Sequence, residues 1–506
     1  MLNGLGQGFA AALSATNLLY GLIGVVLGTA TGVLPGLGPA VAISLLLPLT
    51  FGLDPITAFI MFGGIYYGAM YGGATTAILV NTPGCSASVV STLDGYPLAR
   101  SGRGGAALAT AAIGSFVGGT FATLMLMLSA PLLVTFALKF GPADYFSLML
   151  MALTMVAAIA GKSGVKAAFA TFLGLTISSI GIDLQTGATR LTFGIEELYG
   201  GIGVVVGGIG LFAIGEALWV AGGGGSGPPP PTHKLGGGLF MTVAEWGRAM
   251  LAWLRGTLIG FFAGVLPGSG GTLATFMAYG IEKRISKDPD SFGTGVIEGV
   301  AAPEAANNAA AGGSMVPLLA LGIPGSATTA VMLAAFQLYG LQPGPLLFNN
   351  NADLVWALIA SLYLANVLLV ILNLPLVGLW ARLLRIPPGL LYGAVIVFST
   401  LGAFSLKGST ADVLIIWVLG VMAFCLRKFS IPVAPVLLAM VLGPLLEQEF
   451  RRAMSVSSGD LTIFITRPIS ATLLATSLIS VASSGFVTRR NRRAAALTGE
   501  ISTEEL

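Results

Sequence analysis

Charge is what this chain has least of. Only 9% of its 506 residues are Asp, Glu, Lys or Arg, against about 25% in a soluble globular chain. A surface that faces water on every side cannot be built from that supply. The 55% hydrophobic content and mean hydropathy of +0.90 point instead to lipid as the main solvent. A formal net charge of +3 gives no basic field, which excludes nucleic acid as a natural partner. There are two cysteines, Cys85 and Cys425. They make no metal spacing, a disulfide framework is excluded, and both read as packing residues. The one histidine, His233, sits in a Gly/Pro-rich stretch, so a His-based catalytic or zinc site has no material. The N-terminus carries no basic segment and the first charged residue is Asp54. No cleaved signal peptide is predicted, and the chain is expected to insert through its own first helix.

What the chain does have is long uncharged runs. Leu18 to Thr50, Ala106 to Leu138, Gly256 to Ile281, Leu354 to Ala381, Ile386 to Leu406 and Pro468 to Thr488 all reach the length that crosses hydrocarbon. Shorter apolar segments lie around Tyr145 to Ala160, Val165 to Ile180, Gly201 to Ala221, Val413 to Phe424 and Ile431 to Leu446. The expected fold is an all-α polytopic membrane protein with about 12 spans, within about 10 to 14. Residues 222–231, GGGGSGPPPP, cannot pack as a helix. They divide the chain into a first transmembrane repeat (1–221), a linker (222–240), a second repeat (241–488) and a charged tail (489–506). The tail's Arg489-Arg490-Asn491-Arg492-Arg493 places it in the cytoplasm by the positive-inside rule.

The halves repeat. Gly32-Val33-Leu34-Pro35-Gly36 recurs as Gly264-Val265-Leu266-Pro267-Gly268, 232 positions on, and Thr82-Pro83-Gly84-Cys85-Ser86 resembles Ile323-Pro324-Gly325-Ser326-Ala327, 241 positions on. Gly and Pro interruptions at matching places in duplicated hydrophobic halves point to a transporter binding site. Pro removes a helix hydrogen bond and Gly weakens a helix. Pro35, Gly36 and Gly38 therefore predict a broken or re-entrant helix, as do Gly268, Ser269, Gly270 and Thr272. Bare backbone at that depth must be buried in protein or face a watery cavity. Its freed N–H groups suit a carboxylate and its carbonyls a cation. A single Pro-Gly would read as a plain kink; the second copy turns the reading toward a site. Asn81, Thr82, Pro83, Gly84 and Ser86, with Pro324, Gly325, Ser326 and Thr328, add uncharged hydroxyl and amide groups able to hold an anion or Na⁺. Interhelical packing is the plainer account of the same residues.

Glu304, Asn307 and Asn308 stand at i, i+3 and i+4, on one helix face. Pro303 predicts a helix start there, with Glu304 near its positive end. An ionisable residue at membrane depth is costly, so Glu304 is a candidate to bind a coupling cation or carry a proton, with simple N-terminal capping as the alternative. Glu298, nearer the basic residues Lys283, Arg284 and Lys287, reads as interfacial. Tyr67 and Tyr71 share a face, lining a site or belonging to an interfacial aromatic belt. Gly268-Ser269-Gly270-Gly271-Thr272 lacks the Gly-Lys-Ser/Thr ending of a P-loop, and no nucleophile–base pair stands out. No enzyme activity is expected and no cofactor is needed.

These residues resemble the large membrane subunit of the tripartite tricarboxylate transporters, the TctA type. The match is carried by Gly32-Val-Leu-Pro-Gly-Leu-Gly38, Gly63-Gly-Ile-Tyr-Tyr-Gly-Ala-Met-Tyr-Gly-Gly73, Asn81-Thr-Pro-Gly84, Gly299-Val-Ala-Ala-Pro-Glu-Ala-Ala-Asn-Asn308 and Gly322-Ile-Pro-Gly-Ser326. The resemblance implies a small four-span membrane subunit, a soluble periplasmic binding protein, and residence in a bacterial inner membrane. It also implies uptake of tricarboxylates or related organic carboxylates driven by a Na⁺ or H⁺ gradient. An elevator-like motion is expected by analogy with other hairpin carriers. A passive anion channel and a non-transporting membrane scaffold are the alternatives.

Overall fold

The computed structural model describes residues 2–34, 36–159, 163–183, 186–224, 241–268, 270–383 and 386–481. Most of the linker and all of the charged tail lie outside the described residues. Those described are almost all helical, with one two-stranded ribbon, Gly181–Ile182 (β1) against Thr189–Arg190 (β2). Among the described residues, six helices are long and apolar enough to cross a membrane. Several runs read from sequence as spans, including that from Tyr145, form shorter apolar helices such as Pro142–Ala157 and Gly164–Ser178.

The chain divides into two compact units, and these do not follow the sequence halves: residues 1–138 with 203–425 form one, and 139–202 with 426–506 the other. In the larger unit, the first half contributes α1 (Leu2–Ala12), α2 (Ala15–Val33), α3 (Pro39–Leu46), α4 (Pro55–Val80), α5 (Ser91–Leu98) and α6 (Gly104–Ala137). In the smaller unit, α7 (Pro142–Ile159) and α8 (Gly164–Ser178) precede the β ribbon. The larger unit resumes with α9 (Val204–Gly223). Beyond the linker come α10 (Val243–Val265), α11 (Gly270–Ile285), α12 (Glu298–Leu321), α13 (Ala327–Leu338), α14 (Ala352–Asn373) and α15 (Pro388–Lys407). Then follow α16 (Thr410–Lys428), α17 (Ala434–Val456) and α18 (Pro468–Val481).

Two helix pairs form the heart of the larger unit, and glycine decides how each packs. Gly24, Gly28 and Gly32 of α2 lie against the backbone of Met61, Ile65 and Ala69 of α4; a Cβ built on Gly28 would fall 2.7 Å from the Ile65 Cα. Gly256, Gly260 and Gly264 of α10 lie in the same way against Ala302, Ala306 and Ala310 of α12. Three glycines four residues apart put a bare stripe on one helix face, and small residues let membrane helices approach to backbone contact. The first helices of the two pairs are offset by 232 positions and the second helices by 241, the same two spacings found between the sequence motifs. α4 and α12 are buried on every side from Thr57 to Val80 and from Gly299 to Ala320, which is why neither shows an amphipathic pattern.

Candidate functional site

Both first helices stop in the same way. Leu34 turns extended after α2 (φ −83°, ψ 121°) and Leu266 after α10 (φ −76°, ψ 124°). Two residues on, Gly36 and Gly268 take φ of +82° and +81°, a conformation that costs glycine nothing. The second helices end alike too: Asn81 and Gly322 adopt left-handed caps, with φ of 53° and 71°. Thr82 N–H then reaches back to the Thr76 carbonyl at 3.3 Å and Ile323 N–H to that of Pro317 at 3.1 Å. The Pro-Gly strings are thus breaks within both helix pairs, as the broken-helix expectation requires. Pro35 and Ser269 lie outside the described residues.

Within each half the two breaks touch. Gly84 lies against the Gly32 carbonyl and Gly38 against Cys85. In the second half Gly268 N–H donates to the Gly325 carbonyl at 2.9 Å. The halves then meet. Thr272 donates its hydroxyl to Ser86 Oγ at 2.9 Å, and a Cβ on Gly271 would stand 3.0 Å from both Ala87 Cβ and Asn307 Oδ1. Tyr66, buried in α4, hydrogen-bonds Ser314 at 3.0 Å and Ser326 at 3.4 Å. Ser326 in turn caps α13 through a reciprocal pair of bonds with Thr329. Thr328 is buried in the first turn of α13, beside Pro324 and Gly325 in sequence. Asn81 faces outward, and Thr82 spends its hydroxyl on the Val80 carbonyl.

Glu304, Asn307 and Asn308 are fully buried on α12. Ser91 of α5 donates to Glu304 Oε1, and the side chains of Asn307 and Ser115 approach the same carboxyl group. The two amide nitrogens are both committed to carbonyls, Asn307 to Met70 at 3.4 Å and Asn308 to Glu304 at 3.3 Å. That fixes the amide orientations, since the reverse would set oxygen against oxygen. Glu304 Oε2, Asn307 Oδ1 and Asn308 Oδ1 are buried and make no hydrogen bond among the described residues. Buried polar atoms are normally satisfied. All three belong to residues on one face of α12.

Some expectations need correction. α12 begins at Glu298, so Pro303 lies inside the helix rather than at its start. Glu304 is therefore no N-terminal cap, and burial rather than the helix end defines its surroundings. Tyr66, Tyr67 and Tyr71 are all buried; Tyr67 bonds Thr123 at 3.2 Å and Tyr71 bonds Asn366 at 3.4 Å, which excludes an interfacial belt. Cys425 is exposed and Cys85 partly buried. Glu298 pairs with Arg248 at 3.3 Å.

Two acidic residues escaped the sequence reading. Asp94 of α5 is fully buried. Its Oδ1 accepts the N–H groups of Gly293, Gly295 and Val296 at 2.8–2.9 Å, and its Oδ2 accepts the Tyr279 hydroxyl at 2.9 Å. It ties the first half to the loop that launches α12. Glu216 of α9 is buried against the first break: a Cβ on Gly36 would lie 2.6 Å from Glu216 Oε1 and 3.0 Å from the Tyr392 hydroxyl. The available signal was its isolation as the one acid in the run from Gly201 to Ala221.

Apolar spanning helices with paired backbone breaks define a multi-pass membrane protein of the transporter kind. Residues 18–438 match the profile of the Tripartite tricarboxylate transporter TctA family, and the chain belongs to that family. Transporters of this family work with other subunits. The chain is 45% identical over 493 residues to an uncharacterized 52.8 kDa protein in the TAR-I ttuC' 3'region of Agrobacterium vitis, covering 97% of this chain and 98% of that one. It is 49% identical over 222 residues to an uncharacterized protein in the TAR-II ttuC' 3'region of the same organism, covering 44% of this chain and 92% of that one. No solved structure matches.

Proposed function

We propose that this chain is the large permease subunit of a binding-protein-dependent secondary transporter in a bacterial inner membrane. It would take up tricarboxylates or related organic carboxylates with a Na⁺ or H⁺ gradient, beside a small four-span subunit and a soluble periplasmic partner. The halves are repeats of one helix-pair plan, a reading supported by the two shared spacings and the matching breaks. The observation that carries the proposal is the meeting of those breaks at Thr272 and Ser86, with Gly271 beside the buried Asn307 Oδ1.

The chemistry follows from charge. A substrate carboxylate suits the N–H groups at the starts of α3 and α11, with Ser86, Ser326 and Thr272 hydroxyls nearby. An ionised Glu304 nearby repels that anion, and low dielectric strengthens the repulsion. A cation on Glu304 and the two amide oxygens removes it. Cation and anion then favour one another's binding, which is the thermodynamic content of symport. Alternating access follows from an elevator-like movement of the paired breaks against the remaining helices.

The test is uptake of labelled citrate and other carboxylates into proteoliposomes holding both membrane subunits, with and without the binding protein, under an imposed Na⁺ or H⁺ gradient. Accumulation that collapses with one gradient supports symport and names the ion. Flux that only runs downhill overturns it.

A further inference from the structure

Glu304 belongs to the second half, yet the hydroxyl that donates to it comes from the first and stands at the end of a row. From Cys85 to Leu93 the chain winds by bonds that span three residues. Ser88 N–H donates to the Cys85 carbonyl at 3.1 Å, Thr92 N–H to Val89 at 3.2 Å and Leu93 N–H to Val90 at 3.1 Å. Val89 and Val90 keep helical φ and ψ between them. With three residues per turn, side chains three apart eclipse, so Cys85, Ser88 and Ser91 line one edge. Cys85 Sγ and Ser88 Oγ are 3.4 Å apart, and Ser91 donates to Glu304 Oε1. Ser88 and Ser91 are both fully buried. Gly73 of α4 leaves room for the first of these hydroxyls: a Cβ there would fall 2.5 Å from Ser88 Oγ. The outer end of the row is at the breaks. Cys85 lies against Gly38, and its neighbour Ser86 is exposed and accepts the bond from Thr272.

Packing around Glu304 distinguishes the two ions that could drive symport. Its neighbours on α12 are in backbone contact with two other helices. A Cβ on Gly256 or Gly260 of α10 would fall 2.9 Å or 2.5 Å from the Cα of Ala302 or Ala306, and one on Gly118 of α6 3.2 Å from the Cα of Ala305. A hard metal cation is held by a shell of several oxygens, and helices locked this closely resist being parted to admit one. A proton needs no volume. Glu304 Oε2 and Ser115 Oγ are buried and make no hydrogen bond among the described residues; a proton on Oε2 gives that oxygen a hydrogen to donate. Among the described residues no Lys or Arg pairs with Glu304. The other ionisable groups around α12 are engaged elsewhere: Asp94 of α5 with the loop before α12 and with Tyr279 of α11, Arg103 with Glu245 of α10, Arg255 of α10 with Glu282 of α11, and Arg248 with Glu298. Tyr66 and Tyr67 of α4 bond Ser314 and Thr123, and Lys283 and Arg284 are exposed at the far end of α11.

We propose that the coupling ion is a proton carried by Glu304, and that Ser88 and Ser91 relay it there from water at the first break. The inference rests on the preceding reading that a cation gradient drives uptake. Ser91 passes its hydroxyl proton to the Glu304 carboxylate as it takes one from Ser88, and Ser88 takes one from a hydronium ion in the water beside Cys85 and Ser86. One O–H bond forms for each that breaks, both serines end neutral, and the net change is one proton moved from water to Glu304. Buried acids reached through polar side chains are how membrane carriers hold protons. The row also joins the two halves: the acid stands on α12, and its supply line starts at the break after α2.

The experiment uses both membrane subunits and the binding protein in proteoliposomes with a pH dye trapped inside. The probe is labelled citrate, or whichever carboxylate of the panel the wild type accumulates. In sodium-free buffer, acid outside should drive accumulation, and adding the carboxylate should acidify the lumen. Ser88→Ala and Ser91→Ala should each lower the maximal rate at least about tenfold, with substrate half-saturation unchanged. Both should slow further in D₂O than the wild type does, and Ser91→Thr, which keeps the hydroxyl, should restore the rate. Accumulation that follows a Na⁺ gradient and ignores pH overturns the proton carrier while leaving symport standing. Wild-type rates in both alanine variants overturn the relay, as does a loss that Thr does not rescue and that abolishes substrate saturation too. Wild-type flux that only runs downhill overturns the symport reading itself, and the proton carrier with it.

Discussion

Thr272 donates a hydrogen bond to Ser86 across 2.9 Å, and this one contact joins a break of the second half to a break of the first. A disulfide would fit so close an approach. In a Cys85→Ser, Cys425→Ser background, Thr272→Cys with Ser86→Cys should cross-link on mild oxidation. Uptake should fall to below about a tenth and return on reduction, since a closed bond removes any alternative arrangement of the breaks. Full transport by the cross-linked protein would show that the two breaks stay together throughout the cycle.

Glu304→Gln keeps the size of the side chain and supplies a donor for a neighbouring amide oxygen, so the variant should fold. Its uptake should need at least about tenfold more coupling cation or lose cation dependence, because the charged oxygen is gone. Initial rates over a cation titration measure this; an unchanged titration removes Glu304 from coupling.

Asp94 gathers three backbone N–H groups and a tyrosine hydroxyl. Asp94→Ala strands these donors, at about 1–3 kcal/mol for each buried group left unpaired. The melting temperature in detergent should drop, and the 288–297 loop should become the first site of proteolysis. An unaltered melting curve would show that water satisfies those donors without cost.

The glycine stripes predict a graded series. Gly28→Ala and Gly260→Ala press a methyl against the Ile65 and Ala306 backbone, and overpacking typically costs about 1–3 kcal/mol. Gly280→Ala and Gly393→Ala, where a Cβ meets nothing within 4 Å, should be neutral to thermal unfolding. Equal melting temperatures across all four would mean that the helix pairs are looser than described.

Tyr66→Phe removes the hydroxyl linking Ser314 to Ser326. One hydrogen bond is worth about 0.5–1.5 kcal/mol. Substrate half-saturation should weaken by roughly threefold to tenfold with folding intact, and equilibrium binding would check it.

The breaks were legible because they are local. Pro and Gly restrict backbone wherever they stand, and the two copies gave the same message at Gly36 and Gly268. Glu304, Asn307 and Asn308 could be grouped because helix periodicity relates near neighbours. Asp94 was not legible: its partners lie about 200 positions away, and nothing near it in sequence announces a carboxylate bound to backbone. Glu216 was passed over because a lone acid in an apolar run carries no motif. Pro303 misled, since proline favours a first turn, yet tight packing of α12 against α10 holds it in the helix interior. The division into units was hidden for a related reason: contacts between sequentially distant helices define it, while composition shows only the central linker.

The close fit of α2 to α4 has a mechanical consequence. With glycine carbons lodged on the opposing carbonyls at three successive turns, neither helix can slide along the other by one residue, about 1.5 Å, without driving side chains into backbone. Any displacement of a pair would then carry both of its helices together. Whatever hinges the protein uses are pushed out to the connecting turns, such as Phe51–Asp54 before α4 and the Asp94-bound loop before α12. The loop on the second side is fastened by a residue of the first half, so any displacement of one pair would be felt by the other.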